Sequence, residues 1–292
     1  METKNDTPDL LNQIREICRL MEIKPTRSKG QNFLINAKIY DEIVKIAAIQ
    51  STDTILEIGP GLGFLTVKLA EKAQKVVAVE LDDQLANYLK MAVASNDTSS
   101  NNISNIEIVN QDILRFNPTD HWSAETKYKI VANLPYNITS IFLRRFLSGE
   151  FRPESMVLML QKEVAERIIA KPSDMSILAV SVQYYAEVEI IRVVKAGNFW
   201  PEPKVDSAII KMTIKNKKYT PILDKQFFRI VRVGFSSKRK MLKNNLAAGL
   251  KVTTKIIEQI LIKQKLNSQV RAEDLSLEDW QKLFAALASF VV

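Results

Sequence analysis

Three of the chain's eight glycines, Gly59, Gly61 and Gly63, stand at alternate positions where an apolar β-type run passes into a helical pattern. Glycine at such a junction permits a tight turn and lets a ligand approach the backbone closely. The G-x-G-x-G spacing differs from the G-x-G-x-x-G of nicotinamide-binding proteins. Glu80 ends the next β-type run and Asp112 follows the third, so their carboxylates can accept hydrogen bonds from ribose hydroxyls and an adenine amino group. Carboxylates also suit the positive charge of a sulfonium. The glycine turn and the two carboxylates together therefore predict a site for a nucleoside cofactor that carries a sulfonium.

A second candidate site follows the fourth β-type run, in the tetrad Asn133-Leu134-Pro135-Tyr136. The amine of a planar ring system is a poor nucleophile because its lone pair is delocalised, and two acceptors on its N–H groups can localise that pair. The Asn133 side-chain oxygen and the Leu134 carbonyl are suitable acceptors, Pro135 stiffens the turn, and Tyr136 offers a stacking face for an extruded base. Catalysis would then rest on positioning and electrostatics. The alternative is an ordinary strand-ending turn with a half-buried tyrosine.

Positive charge is concentrated in one late segment of the chain. The net charge is +8, and residues 225–265 hold eleven Lys or Arg and a single acid, Glu258, so this segment carries the whole excess. Excess positive charge favours polyanions through counterion release. The positive charge is densest at Lys238, Arg239, Lys240 and Lys243. This cluster predicts a contact with RNA, and the alternative is a solvated helical face.

Several classes of protein are disfavoured by what the sequence lacks. Cys18 is the single cysteine, so an internal disulfide or a multi-cysteine zinc site cannot form, and we expect no metal. His121 is the single histidine and is predicted to be an ordinary surface residue. No apolar run approaches the roughly 18–20 residues that span a bilayer. The first residues resemble neither a secretory signal nor a transit peptide, so a cytoplasmic location is expected.

The elements that must position these residues alternate between strand and helix, which implies an α/β fold whose parallel sheet carries helices on both faces. Two later β-type runs are expected to add an antiparallel extension. After residue 215 the pattern becomes helical, and we predict a first domain of residues 1–218 and a small helical domain of residues 219–292. The predicted strands are 54–58, 75–79, 106–109, 129–132, 156–160, 188–194 and 208–214. The predicted helices of the first domain are 64–73, 82–94, 139–147 and 176–186.

From about residue 25 to residue 285 the chain resembles the KsgA-type rRNA adenine N6,N6-dimethyltransferases. The resemblance is carried by the glycine run, the acceptor tetrad and further family-like motifs, which are residues 29–34, 80–82, 111–112, 160–167, 201–207, 235–240 and 271–273. It implies a Rossmann-like class I methyltransferase domain that uses S-adenosylmethionine. By motif position it also implies a set of cofactor-binding residues, namely Asn32, Leu34, Gly59, Gly61, Glu80, Asp112 and Asn133.

The same resemblance implies a substrate and a partner. Such enzymes dimethylate two adjacent adenines in a hairpin loop near the 3′ end of small-subunit rRNA, within an assembling subunit, and we expect a monomer. Two alternatives are weighed: an antibiotic-resistance methylase acting on large-subunit rRNA, which usually carries Ile where Leu134 stands, and a non-catalytic assembly factor that keeps only the fold. Phe199 and Trp200 could be core residues or could line the target-base pocket.

Overall fold

A seven-stranded sheet forms the centre of the fold in the computed structural model, which describes residues 9–25, 31–94, 104–216 and 220–290. A separate pair is made by β1 (Phe33–Leu34) and β8 (Phe199–Trp200). The sheet strands are β2 (Thr54–Ile58), β3 (Lys75–Glu80), β4 (Ile106–Asn110), β5 (Tyr128–Asn133), β6 (Ser155–Gln161), β7 (Ala186–Val194) and β9 (Ser207–Ile214). All seven were predicted, with ends that differ by no more than two residues.

Helices follow most of the strands. None within the described ranges is long and apolar enough to cross a membrane. The helices are α1 (Leu10–Leu20), α2 (Ala37–Ala47), α3 (Phe64–Ala70), α4 (Asp83–Ala94), α5 (Thr139–Ser148), α6 (Lys162–Ile168), α7 (Ile177–Tyr185), α8 (Pro221–Gly234), α9 (Leu242–Leu250), α10 (Thr254–Lys263) and α11 (Leu277–Leu287). The polar stretch 95–102 between α4 and β4 lies outside the described residues.

The strand order is β4-β3-β2-β5-β6-β9-β7. The pairs β3–β4, β2–β3, β2–β5 and β5–β6 are parallel, and β9 joins β6 in the antiparallel sense that the sequence predicted. Ile58, the last residue of β2, is opposite Val79 of β3 and Ala132 of β5. Because parallel strands end at one edge of the sheet, this register sets Glu80 and Asn133 on either side of the glycine turn.

Burial follows from this architecture. Every residue of β2 is buried, and so are all those of β3 after Lys75. Since successive side chains of a strand point to opposite faces, both faces of the central sheet are covered, as a parallel sheet between helical layers requires. The predicted α/β class with helices on both faces is confirmed.

The chain divides into two compact units. The first holds residues up to Lys162 and the segment Glu189–Ile214, and the second holds Glu163–Val188 and residues from Lys215 onward. The predicted boundary at 218/219 falls on residues 217–219, which lie outside the described part of the chain. The second unit also contains Glu163–Val188, which the predicted boundary places in the first domain. The division into residues 1–218 and 219–292 therefore stays a prediction.

The second unit has its own core, in which Phe227, Ile230, Trp280 and Leu283 are fully buried. A buried carboxylate, Asp224, accepts hydrogen bonds from the hydroxyls of Tyr184 (2.7 Å) and Tyr185 (3.0 Å). A buried polar group costs free energy unless it is hydrogen-bonded, so the two tyrosines make the burial of this carboxylate tolerable. All regular elements described after Lys215 are helical.

Candidate cofactor and acceptor site

The turn between β2 and α3 has a backbone that favours glycine at three positions. Gly59, Gly61 and Gly63 have φ values of 63°, 60° and 84°, in the left-handed region that costs other residues free energy. At Gly61 a Cβ would also lie 3.2 Å from the Phe33 ring. The sequence therefore places glycines where the backbone has to turn sharply at the carboxyl edge of the sheet.

Glu80 is fixed against this turn. Its Oε2 accepts from the Gly61 N–H at 3.1 Å, and its Oε1 accepts from the Asp82 N–H at 2.9 Å. Burial raises the pKa of the Glu80 carboxyl above its usual range, and the two backbone donors act against that shift. Glu57, in the strand leading into the turn, is fully buried, and burial raises its pKa to about 8. Burial therefore favours the uncharged form of Glu57, whereas the carboxyl oxygens of Glu80 are held at the turn by two backbone donors that favour its charged form.

A cavity of about 490 Å³ opens beside these residues and is lined in part by Gly59, Glu80, Asp112 and Pro135. Asp112 Oδ1 accepts from the Leu114 N–H at 2.8 Å, which orients its carboxylate. The volume lies within the range of small-molecule and cofactor sites. Carboxylates at two strand ends and a close-approach glycine turn suit a nucleoside that donates hydroxyl and amino hydrogens, so the residues fit the cofactor that the sequence predicts.

The acceptor tetrad lies directly against the glycine turn, since Pro135 Cδ is 3.8 Å from the position of a Cβ on Gly59. The Asn133 amide Nδ2 donates to the Asn32 carbonyl at 3.5 Å. Asn32 Oδ1 is buried and has no hydrogen-bond partner among the residues described, as an atom reserved for a bound ligand would be. The Leu134 N–H donates to Met159 O at 2.9 Å, which ties the tetrad to β6.

Tyr136 is held by Ser207, a residue for which no individual role was predicted. Its hydroxyl lies 2.8 Å from Ser207 Oγ, and Ser207 is fully buried at the start of β9. Burial raises the pKa of Tyr136, so its hydroxyl stays protonated. This bond fixes the direction of the ring that is predicted to stack on a base. Ser207 lies in the family-like motif 201–207, and that motif was the only sequence signal available for it.

Other predicted residues lie elsewhere in the first unit. The Leu34 side chain is buried in the main core, and its carbonyl accepts from the Tyr40 hydroxyl at 3.1 Å. Phe199 is also a core residue, whereas Trp200 packs with a smaller cluster around Phe33. The cavity lining does not include Leu34, and it does not include Asn32, Gly61 or Asn133 either, so the part of these four residues in cofactor binding stays a prediction.

The four basic residues of the predicted RNA contact differ in their surroundings. Arg239 and Lys240 are exposed. Lys238 is 84% exposed, with Nζ 3.7 Å from Glu273, a weak surface pair. Lys243 is only 17% exposed and pairs with Glu258 at 2.8 Å. Three of the four are therefore open to a polyanion, while Lys243 already has a carboxylate partner.

His121 is not the plain surface residue that the sequence predicted. Its ring stacks on Phe116, with the centroids 4.7 Å apart, and Nδ1 lies 2.6 Å from Glu107 Oε1. Lys75 pairs with the other oxygen of Glu107 at 2.8 Å. Lys75 begins β3, so this cluster lies at the opposite edge of the sheet from Glu80. No group of three metal-ligating side chains is found in the described ranges.

Comparisons with known proteins converge on one family. A family model described as ribosomal RNA adenine dimethylase matches residues 23–289. Ribosomal RNA small subunit methyltransferase A of Dehalococcoides mccartyi (strain CBDB1) is 40% identical over 277 residues, 94% of this chain and 93% of that protein. The protein of the same name from Clostridium acetobutylicum is 38% identical over 272 residues, 92% of this chain and 96% of that one.

Two solved structures share the fold. A dimethyladenosine transferase from Plasmodium falciparum has a TM-score of 0.74 and 27% identity, covering 88% of this chain and 98% of its own. The 23S rRNA methyltransferase ErmE has a TM-score of 0.69 and 26% identity, covering 88% of this chain and 100% of its own. The similarity confirms the predicted Rossmann-like methyltransferase architecture.

Proposed function

The chain belongs to the ribosomal RNA adenine dimethylase family, and from this we propose that it transfers methyl groups from S-adenosylmethionine to two adjacent adenines of small-subunit rRNA, forming N6,N6-dimethyladenine. The observation that carries the proposal is the meeting of two turns at one sheet edge. The glycine turn with Glu80 borders the cavity, and the tetrad that begins at Asn133 packs against it. The name of the two bacterial relatives, ribosomal RNA small subunit methyltransferase A, supports the small subunit as the substrate.

Glu80, Asp112 and Gly59 would hold the nucleoside part of the cofactor, because they line the cavity and present acceptors and bare backbone to it. The buried Oδ1 of Asn32 would accept a hydrogen bond from the cofactor. When bound, the cofactor supplies an electrophilic methyl group on a positive sulfonium. The buried, hydrogen-bonded carboxylate of Glu80 is oriented before any ligand arrives, so little ordering would be required on binding.

The tetrad would orient the target amine. Asn133 uses Nδ2 to donate to Asn32, which leaves Oδ1 free to accept an N–H of the adenine amine. The Leu134 carbonyl would accept the second N–H, and Tyr136, held by Ser207, would stack on the extruded base. Acceptors aimed at the amine localise its lone pair, so this arrangement contributes positioning and electrostatic stabilisation and requires no strong base.

The helical unit would supply the contact to rRNA. Lys238, Arg239 and Lys240 are exposed and lie outside the unit that carries the cofactor site. An immature small subunit presents dense phosphate, which favours such a cluster. This substrate implies action in the cytoplasm during subunit assembly, and the monomeric state expected from the sequence stays a prediction.

The proposal is tested by methyl transfer. The protein and radiolabelled S-adenosylmethionine are incubated with small subunits and large subunits that lack adenine dimethylation. We expect label in small-subunit rRNA, up to four methyl groups per subunit because two adenines each take two. Label in large-subunit rRNA would instead favour the activity that the name of ErmE describes. Label in neither would favour the non-catalytic assembly factor.

Glu80→Ala is expected to weaken S-adenosylhomocysteine binding by about 1.5–3 kcal/mol, the usual worth of hydrogen bonds to a charged group. The effect has two sources, since the carboxylate would bind the ribose and also holds the Gly61 N–H. Isothermal calorimetry measures the loss. Glu71→Ala, at an exposed position beyond α3, is the matched control. Unchanged affinity in Glu80→Ala would remove Glu80 from the site.

A further inference from the structure

Helix α1 lies before the residues that the family model matches, which begin at residue 23, yet its buried face reaches the candidate site. Ile14 is fully buried and Cys18 is 4% exposed, whereas Leu20 on the opposite side is 64% exposed. Asp9 caps the helix by accepting from the Leu11 N–H, and the chain turns back so that the Ile23 N–H donates to the Cys18 carbonyl at 2.8 Å. The helix is thus a docked element with a defined beginning and end.

The buried face of α1 belongs to a small hydrophobic cluster with Phe33, Leu62 and Leu85. Leu62 stands inside the glycine turn, between Gly61 and Gly63. The Phe33 ring lies 3.2 Å from the position of a Cβ on Gly61, so ring and turn are in direct contact. Side chains in such a cluster are close-packed, and a shift of one member is felt by its neighbours. Through Phe33 and Leu62, α1 therefore supports the turn that lines the cofactor cavity.

A second contact holds α1 to the strand pair. The Arg15 guanidinium carbon lies 5.7 Å from the centre of the Trp200 ring, a cation–π arrangement. Trp200 is paired with Phe33 across β1 and β8. The helix has only 11 residues, and isolated helices of that length are marginal in water. Its helical state consequently depends on docking, so docking and folding of α1 form a single event.

We propose that α1 is a positioning element of the cofactor site: docked α1 holds Phe33 and Leu62 against the glycine turn, and affinity for the cofactor depends on that docking. The inference rests on the proposed function, since it takes S-adenosylmethionine and its product as the ligands. Thermodynamic linkage makes the coupling reciprocal, so ligand binding must favour docked α1 by the same factor. Ile14 and Cys18 act through the turn and are not catalytic residues.

Cys18 provides a readout that uses the unaltered protein. It is the single cysteine of the chain, and burial both shields the thiol and raises its pKa. A thiol reagent must therefore wait for α1 to undock. Saturating S-adenosylhomocysteine is expected to slow labelling of Cys18 by about tenfold, within the usual range of coupling between sites. A labelling rate that does not change with bound S-adenosylhomocysteine would overturn the proposal.

Ile14→Asp supplies the converse test, because a buried carboxylate on this face opposes docking. We expect S-adenosylhomocysteine affinity to fall by about tenfold, with Ile14→Leu retaining it and with Leu20→Asp, the same change at an exposed position of the same helix, leaving it unchanged. Wild-type affinity in a folded Ile14→Asp would overturn the proposal. If Ile14→Asp does not fold, the labelling experiment still decides. Failure of the wild-type protein to bind S-adenosylhomocysteine would instead contradict the proposed function.

Discussion

Asn133→Ala is expected to lower the turnover number for rRNA methylation by on the order of 10²–10³, by analogy with the loss of one preorganised hydrogen bond to a transition state. Asn133 ends β5, where its Nδ2 donates to the Asn32 carbonyl, and its Oδ1 is proposed to accept from the target amine. The alanine side chain offers no acceptor, so the lone pair of the amine stays delocalised into the ring. Single-turnover methyl transfer to undermethylated small subunits measures the chemical step directly.

The matched control is Asn117→Ala, the same change at an exposed asparagine that lies on the loop after β4. It should methylate at the wild-type rate. Asn133→Ala should remain folded, because Asn133 is only partly buried and its side-chain hydrogen bond to the Asn32 carbonyl is long at 3.5 Å. Its affinity for rRNA should barely change, although cofactor affinity is expected to fall somewhat. Wild-type turnover in Asn133→Ala would show that the tetrad is an ordinary turn.

The cofactor side of the site could be predicted because parallel strands impose a simple rule. Residues that follow consecutive strands arrive at one edge of the sheet, so the positions of Glu80 and Asp112 along the sequence sufficed to place them around one cavity. The strands themselves were recognisable as short apolar runs of β-favouring residues. The three glycines then marked the edge at which a ligand could approach.

Contacts between residues far apart in the chain could not be predicted in this way. Tyr136 and Ser207 are 71 residues apart, and their bond depends on the antiparallel register of β6 and β9, which sets Ser207 opposite Gln161. The pairing of Lys243 with Glu258 likewise depends on how α9 packs against α10. Neither register nor helix packing is encoded by a local pattern, so charge counting alone could not show that Lys243 has a carboxylate partner.

Helix α1 was overlooked for a different reason. Its apolar residues recur at helical spacing, with Ile14 and Cys18 on the buried side, so the pattern was present in the sequence. Nothing local indicates which surface an amphipathic helix covers. The packing of α1 against Phe33 and Leu62 is a tertiary contact, which a local pattern does not encode. The surroundings of His121 also depend on a tertiary contact, since its partner Glu107 lies in β4.

Replacement of Lys238, Arg239 and Lys240 together by Gln is expected to flatten the salt dependence of binding to immature small subunits. Each phosphate contact contributes about 0.7–0.9 to the slope of log affinity against log salt, so the loss of three contacts should reduce the magnitude of the slope by about 2.1–2.7. At about 0.1 M salt this corresponds to roughly 100- to 500-fold weaker binding. Lys243 is left unchanged because its charge is already paired with Glu258. Binding is titrated at several salt concentrations, with S-adenosylhomocysteine affinity measured in parallel and expected to stay at the wild-type value.

The control replaces Lys225, Lys255 and Lys263 by Gln, which removes the same three charges from exposed positions of the same unit. If RNA responds only to net charge, both triple variants lower the slope equally, and the cluster has no special role. If the cluster touches phosphate, only the cluster variant lowers the slope of log affinity against log salt. Charges that contact phosphate release counterions on binding, whereas charges far from the RNA are screened by salt. An unchanged slope in the cluster variant would mean that Lys238, Arg239 and Lys240 form a solvated face. The rRNA would then have to be held by the unit that carries Asn133 and Tyr136.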